Sequence, residues 1–140
     1  MNTIINIKQR SEICVGALAD NLERLLPKGR VVVITDANID RLYHNLVERF
    51  EHIIIGSGET NKTLQTVENI YRQLMAMGAD RSTFLLGIGG GIVTDITGFV
   101  AATYMRGVEF GFVSTTLLGA VDASVGGKNG VNVAQYKNMV

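Results

Sequence analysis

The sequence lacks the features that mark secreted and membrane proteins. It has one cysteine among 140 residues, so an internal disulfide is excluded, and Cys14 fits a reducing compartment. No uninterrupted apolar run is long enough to span a bilayer. The amino-terminal stretch "MNTIINIKQRSE" has neither the basic start nor the apolar middle of a signal peptide. We therefore expect a cytoplasmic protein without a membrane partner.

The charge and the histidines argue against two further classes. Lys and Arg together number 13, as do Asp and Glu, and this balance does not indicate a nucleic-acid partner. His44 and His52 have no ligand-like spacing and no acidic or thiol partners, so we expect no metal site within this chain. The sequence also offers no Ser-His-Asp or Cys-His arrangement for nucleophilic catalysis.

Glycine, in contrast, is abundant. The chain has 16 glycines and one proline, which suits α/β folds, because their turns bring the backbone close to ligands. The length predicts one domain covering residues 1–140. No repeat, linker or shift in composition divides it.

Strand-like and helix-like apolar patterns alternate along the chain. Continuous apolar runs predict buried strands at 31–35, 53–55, 84–88 and 108–113. Apolar residues spaced by three and four predict helices over 15–25, 39–50, 64–74 and 92–104. Gly78 is placed as a carboxyl-terminal cap. This alternation predicts an α/β fold with a mostly parallel sheet and helices on both faces.

Ligands bind such sheets beyond the carboxyl ends of the strands, which directs attention to the glycine run 89–91. A strand, glycines and a helix in succession point free N–H groups and a helix dipole at an anion. The dinucleotide fingerprint G-x-G-x-x-G/A does not fit, because its last position falls on Ile92 or Thr94. A Walker loop fails as well, since Asn129 follows Lys128. The alternative is a tight turn with close helix–sheet packing.

Charged residues near the glycines leave two interpretations open. Asp95 lies in the first turn of the predicted helix, where it either complements the helix dipole or holds a polar ligand above the loop. Asp122 and Lys128 can meet across the turn at Gly126 and Gly127. They form either a surface ion pair or, with the lysine of "KNMV", part of a pocket for an anionic substrate.

Several of these motifs occur together in one known family. The stretches "TDANI", "SGETNKT", "GGGIVTDITGFVAATYMRGV", "STTLLGAVDASVGGKNGVN" and "KNMV" closely resemble the 3-dehydroquinate synthase family from about Val31 to the end. The resemblance implies the N-terminal Rossmann-like NAD-binding domain of a two-domain enzyme. It also implies a helical C-terminal domain that binds a divalent metal, zinc or cobalt. The expectation is therefore an NAD-binding domain over 1–140 that is incomplete at its C-terminal end. By the same expectation, the helical domain is absent from these residues and the fragment is inactive.

The resemblance also implies a reaction and a partner. The substrate would be the sugar phosphate DAHP (3-deoxy-D-arabino-heptulosonate 7-phosphate), converted to 3-dehydroquinate and phosphate in the shikimate pathway. NAD would take a hydride and return it, and the enzyme would be a homodimer. The alternatives are a related sugar-phosphate cyclase, an iron-type alcohol or glycerol dehydrogenase, and a non-catalytic nucleotide-binding module. The run "VDASVGGKNGVN" favours a cyclase, because simple dehydrogenases need no lysine-rich pocket for a phosphorylated acid.

Site residues follow from the resemblance by motif. The cofactor contacts would be Asp36, Asn38, Glu59, Lys62, Gly90, Gly91, Asp95, Thr115, Thr116 and Leu118. The residues at the junction of cofactor and substrate would be Asp122, Lys128, Lys137 and Asn138. Arg106 would reach the phosphate end of the substrate from the neighbouring subunit. The chain departs from the family's common glycine, proline, serine and threonine at Thr94, Ser114, Ala123 and Asn129.

Overall fold

The chain begins with an antiparallel hairpin that the sequence analysis missed. The computed structural model describes residues 2–8 and 11–140. Within them, β1 (Thr3–Ile7) pairs with β2 (Ser11–Val15). The predicted helix from residue 15 is wrong at its start, because Val15 ends β2 and α1 spans Leu18–Leu25. Both strands are rich in residues that favour strands, but the isoleucines of β1 are exposed and Ile13 of β2 is only half-buried. No buried face therefore marked them in the sequence.

The main sheet has the predicted parallel architecture. Its strands are β3 (Val31–Asp36), β4 (Glu51–Ile55), β5 (Phe84–Gly89) and β6 (Phe110–Ser114). They lie in the order β4-β3-β5-β6, and each neighbouring pair is parallel. The fourth strand begins two residues later than predicted. Val108 is buried, but its N–H donates to the carbonyl of Ala101 at 2.8 Å, so the preceding helix holds it and not the sheet.

Helices cover both faces of this sheet, as predicted. They are α2 (Ala37–Val47), α3 (Leu64–Ala76) and α4 (Gly91–Thr103), in addition to α1. Helices α3 and α4 pack on one face through a core that includes Ile70 and Ile96, and α1 and α2 pack on the other through Leu22 and Val47. Over residues 2–8 and 11–140, no helix has the length and apolar character needed to cross a membrane.

Glycines allow close contact between α4 and the strand before it. A Cβ added at Gly87 would lie 2.7 Å from Thr97 Oγ1, and one added at Gly89 would lie 2.6 Å from Val93 Cβ. Both neighbours are buried, so neither position has room for a side chain. Gly78 has a φ of +69° directly after α3, which confirms its predicted role as a cap.

Candidate functional site

The carboxyl edge of the sheet gathers the turns that the sequence analysis selected. Because the strands are parallel, the residues after β3, β5 and β6 emerge at one edge. At the end of β3, Asp36 caps α2: its Oδ1 accepts the N–H groups of Asn38 at 2.8 Å and Ile39 at 2.9 Å. The predicted turn at 36–38 is therefore a direct strand-to-helix junction. A polar residue at the end of a buried strand, such as Asp36, can thus be the N-cap of the next helix.

The amino terminus of α4 is open to an anion. Gly90 is its N-cap, and no side chain caps the helix. The first N–H groups of a helix have no intrahelical partner, and they lie at the positive end of its dipole. A Cβ at Gly90 would lie 3.1 Å from Thr116 Cγ2, so the threonine at the end of β6 lies against this loop. The N–H of Thr115 donates to the carbonyl of Gly89 at 2.9 Å. These groups fit a pyrophosphate.

A buried ion pair lies beside this helix terminus. Lys62 is 4% exposed, and its Nζ donates to Asp95 Oδ2 at 2.6 Å and to Asn138 Oδ1 at 2.5 Å. The structure thus brings together three predicted site residues that are far apart in sequence. Asp95 lies one residue further into α4 than predicted, because the helix already begins at Gly91, and this places it beyond the first turn. Its carboxylate is bound to Lys62, and the interpretation of Asp95 as a first-turn dipole partner is wrong.

Asn132 joins the same cluster and was not among the predicted site residues. Its Nδ2 donates to Glu59 Oε1 at 2.9 Å, and its Oδ1 accepts the N–H of Asn138 at 2.9 Å. Glu59 belongs to a 3₁₀ turn, Glu59–Asn61. A cavity of about 210 Å³ between this turn and the loop after Asn132 is lined in part by Glu59 and Lys137. No local pattern in the sequence marks Asn132, because Glu59, to which its side chain donates, lies 73 positions away along the chain.

Asp122 and Lys128 meet, but at the surface. Their closest atoms, Asp122 Oδ1 and Lys128 Nζ, are 3.8 Å apart, and the side chains are 57% and 78% exposed. This is the geometry of the surface ion pair that the sequence left open, and such pairs contribute little to stability. Leu118, just before the π turn Gly119–Ala123, is 66% exposed. Within the described part of the chain, no hydrogen bond joins the Asp122 or Lys128 side chain to the cluster around Lys62.

Arg106 lies at the opposite edge of the sheet. Helix α4 leaves the carboxyl edge at Gly91 and runs back past the strands for 13 residues, a length of about 20 Å at the usual rise. Arg106 follows it, exposed, with Met105 and Arg106 at φ values of 48° and 71°. Left-handed backbone is uncommon at two consecutive non-glycine residues. One chain therefore does not place Arg106 beside Asp95.

The described residues do not fit a resident metal ion. Over 2–8 and 11–140, no three His, Cys, Asp or Glu side chains are grouped so that they could hold one. The expectation that His44 has no acidic partner is wrong, because it pairs with Asp40 and Glu48, four residues before and after it, at the surface. The imidazole of His52 contacts the carbonyl oxygen of Phe50 at 2.9 Å.

Solved structures share this fold. A 2-deoxy-scyllo-inosose synthase described as complexed with carbaglucose-6-phosphate, NAD⁺ and Co²⁺ matches all of this chain and 42% of its own, with a TM-score of 0.86 and 24% identity. The 2-epi-5-epi-valiolone synthase ValA of Streptomyces hygroscopicus, described with NAD⁺ and Zn²⁺ bound, matches 79% of this chain and 33% of its own, at a TM-score of 0.74 and 32% identity. Fold and site together define a Rossmann-like α/β domain of the kind found in sugar-phosphate cyclases.

The sequence comparisons identify the family within this class. The family model for the N-terminal part of 3-dehydroquinate synthase matches residues 52–140, and the chain belongs to the 3-dehydroquinate synthase family. The 3-dehydroquinate synthase of Natranaerobius thermophilus is 39% identical over the whole chain, which spans 41% of that relative. The chain thus covers about two-fifths of the length of such relatives.

Proposed function

We propose that this chain is the N-terminal, NAD-binding part of a 3-dehydroquinate synthase, covering residues 1–140 of a longer two-domain enzyme. The full-length enzyme would convert DAHP to 3-dehydroquinate and phosphate in the shikimate pathway. The observation that carries the proposal is the arrangement at the carboxyl edge. There the uncapped amino terminus of α4 lies beside the cluster of Lys62, Asp95 and Asn138. Family membership supports this substrate over those of the related cyclases and dehydrogenases.

The cofactor half of the site is assigned from the groups that the structure leaves free. The N–H groups after Gly90 and Gly91 bind the pyrophosphate, since no side chain competes for them. Asp95 has one carboxylate oxygen bound to Lys62 and a side chain that is still 19% exposed, so the other oxygen is available to ribose hydroxyls. Glu59 takes a neighbouring hydroxyl in the same way. The remaining assigned cofactor contacts are Asp36, Asn38, Thr115, Thr116 and Leu118.

The substrate half is assigned from exposed charge. The cofactor contacts would hold NAD, which would serve as a transient hydride acceptor for the substrate alcohol. Lys128 and Lys137 are both exposed, and as compact cations they suit a phosphorylated hydroxy acid. Asp122 lies next to Lys128, with 3.8 Å between its Oδ1 and the lysine Nζ. As the family resemblance implies, zinc or cobalt is assigned to a C-terminal domain outside this chain. We also assign the enzyme to the cytoplasm as a homodimer.

Titration of NAD into the chain, followed by amide chemical shifts, tests the cofactor assignment. We expect weak but saturable shifts that centre on the amides of 89–95 and on the Lys62 turn. Asp95→Ala should reduce the affinity at least about fivefold, because a charge-assisted hydrogen bond is lost. Asp20→Ala, which removes an exposed carboxylate on α1, is the matched control and should leave the affinity unchanged. Equal affinity in the Asp95 variant would show that this role is wrong.

Turnover of DAHP tests the assignment of the remaining parts. The 140-residue chain, given NAD and zinc, should produce no 3-dehydroquinate, whereas the full-length protein should produce it. Activity of the chain alone would mean that the metal and the substrate are held by residues other than those proposed. A full-length protein that binds NAD but ignores DAHP and turns over another sugar phosphate would instead favour a related cyclase.

A further inference from the structure

Asn132 lies at the centre of the hydrogen bonds that join three of the proposed site residues. Its backbone N–H donates to the carbonyl of Lys62 at 2.8 Å. Its side chain donates to Glu59 Oε1 and accepts the N–H of Asn138, both at 2.9 Å. We infer that Asn132 is a positioning residue, which holds Glu59, Lys62 and Asn138 in the arrangement that receives the cofactor. The inference rests on the proposed function and deepens it.

The bond to Asn138 has a consequence for the buried lysine. Asn138 has a φ of 53°, a left-handed conformation that costs free energy at a non-glycine residue, although asparagine tolerates it best. Its N–H bond to Asn132 helps to maintain that conformation. In it, the Asn138 side chain accepts from Lys62 Nζ at 2.5 Å. Asn132 therefore restrains Lys62 twice, directly at its carbonyl and indirectly at its ammonium group.

The bond to Glu59 fixes the other side of the site. Glu59 lies in a short 3₁₀ turn, which holds it only loosely by itself. Asn132 fixes one carboxylate oxygen and leaves the second free for a ligand. Asn132 has few free hydrogen-bonding groups for a ligand, because its backbone N–H, its Oδ1 and one Nδ2 hydrogen already have protein partners. A positioning role is therefore favoured over direct contact with the cofactor.

The turn around Asn132 is also held by backbone hydrogen bonds that do not involve its side chain. The N–H of Val131 donates to the carbonyl of Val140 at 2.8 Å, and the N–H of Met139 donates to the carbonyl of Val131 at 3.1 Å. Val133 and Tyr136 exchange two further backbone bonds of 3.0 Å. A substitution that changes only the Asn132 amide should thus leave this turn in place.

The test is NAD affinity of the full-length enzyme carrying Asn132→Asp. One oxygen of the new carboxylate still accepts from Asn138, but the other replaces a donor 2.9 Å from Glu59 Oε1. Two carboxylates at that distance repel each other, so Glu59 moves away, and we expect a loss of about tenfold or more in affinity. Gln135→Glu adds the same charge on the same loop, at an exposed residue lining the same cavity. It should change the affinity less than about twofold.

A double-mutant cycle separates positioning from charge and from general damage. In an E59Q background, the amide introduced at position 59 can donate to the new carboxylate, which restores the bond with reversed polarity. N132D should then reduce affinity less than about twofold beyond E59Q alone. Thermal unfolding of each variant is measured together with its NAD affinity. If N132D is not folded at the assay temperature, N132A and E59A are used for the same cycle and should also be non-additive.

The outcomes distinguish a failure of the positioning role of Asn132 from a failure of the proposed function. A wild-type enzyme that does not bind NAD contradicts the proposed function, and the positioning role fails with it. A wild-type enzyme that binds NAD, combined with an N132D effect that is absent or equally large in both backgrounds, contradicts the positioning role alone. A loss in Q135E equal to that in N132D also contradicts it, because added charge would then be the cause.

Discussion

Lys62 and Asp95 form a 2.6 Å ion pair, and the side chains of the two residues are only 5% and 19% exposed. The pair between Arg72 and Glu68 on α3 has the same 2.6 Å separation but side chains that are 70% and 51% exposed. The chain therefore contains two pairs of equal length in different surroundings. The first pair is largely removed from water. Removing either partner therefore leaves an unpaired buried charge, which destabilises the fold. In the second, water screens the charges.

Lys62→Met should destabilise the protein by about 3 kcal/mol, because it leaves the Asp95 carboxylate in a largely buried place without its cation. Arg72→Met, which breaks the exposed pair, should cost less than about 1 kcal/mol. Urea unfolding of the two variants measures both values. The double variant K62M/D95N should recover part of the loss, since it removes the unpaired charge as well. Equal costs for K62M and R72M would contradict the role of burial.

Two glycines of the run should respond oppositely to alanine. Gly89→Ala should destabilise by about 1–3 kcal/mol, because its Cβ would lie 2.6 Å from the Cβ of the buried Val93. Gly91→Ala should be neutral or stabilising by up to about 1 kcal/mol, because its Cβ would lie 3.5 Å from Ala123 Cβ, an ordinary contact. Thermal unfolding of both variants provides the measurement. A G91A variant less stable than G89A would show that the packing of α4 has been misassigned.

This division explains what the sequence could and could not predict about the glycine run. The pattern predicted a strand, a turn and a helix, and all three are present. It offered a phosphate cradle and close helix–sheet packing as alternatives. The structure shows the close packing at Gly87 and Gly89 and leaves Gly90 at the uncapped start of α4, so the phosphate cradle stays a prediction. The periodicity of apolar residues does not report how closely a helix approaches a strand. Only the folded structure therefore shows which glycines pack against α4.

The rest of the site was harder to predict, because it depends on contacts between distant residues. Asn132 binds Glu59 across 73 positions, and Asn138 binds Lys62 across 76. Local patterns carry no information about such pairs. The family resemblance placed Lys62, Asp95 and Asn138 in the site without stating that they bind one another. Asn132 contributes through geometry, and its type and spacing alone did not mark it.

Tyr104 provides a test of a buried hydrogen bond outside the site. It is 6% exposed, and its hydroxyl donates to the carbonyl of Ala79 at 2.8 Å. Tyr104→Phe should cost about 1–2 kcal/mol, since the carbonyl loses its donor. Tyr43→Phe, at a tyrosine that is 52% exposed, should cost almost nothing and is the control. Chemical denaturation compares them, and indistinguishable midpoints would contradict the importance of the bond.

Burial also raises the pKa of the Tyr104 phenol. Because the neutral form is favoured in the folded state, wild-type stability should fall as the pH rises above the usual tyrosine pKa of about 10. The Y104F variant should lose this part of the pH dependence. A wild-type protein and a variant with parallel stability curves through that range would show that the phenol remains accessible to water.

His44 should make stability depend on pH near neutrality. Its hydrogen bond to Asp40, at 3.1 Å, raises the pKa of the imidazole, and the charges of Asp40 and Glu48 act in the same direction. A raised pKa means that the stabilisation is fully present below the ordinary value of about 6.5. It is lost as the pH rises through the folded-state value. NMR titration should find the pKa above that of a peptide histidine and lower in Asp40→Asn. Glu48→Gln should lower this pKa by less than Asp40→Asn does, because the contact between His44 and Glu48 is longer, at 3.6 Å.

Arg106 should act in the site of a partner subunit, because its own chain places it at the opposite edge of the sheet. This can be tested by mixing two full-length variants that are each expected to be impaired, Arg106→Ala and Asp95→Ala. In a mixed dimer, one site combines the intact Asp95 of the R106A subunit with the intact Arg106 of its partner. The other site lacks both. Mixed dimers should therefore regain about half of the wild-type activity, as one of two symmetric sites is restored.

The result depends on geometry and not on the strength of either defect. If Arg106 served the site of its own chain, each site of the mixed dimer would carry one defect, and mixing would restore nothing. Purification through two different tags isolates the mixed dimer and removes the uncertainty of random pairing.

NAD affinity of the R106A variant supplies the control, because the amino terminus of α4 and the Lys62 cluster lie about 20 Å away in the same chain. That affinity should match the wild type. A large loss of affinity in R106A would mean that the strained turn at Met105 and Arg106 supports the fold of α4 itself. Loss of activity in the variant would then have a structural cause.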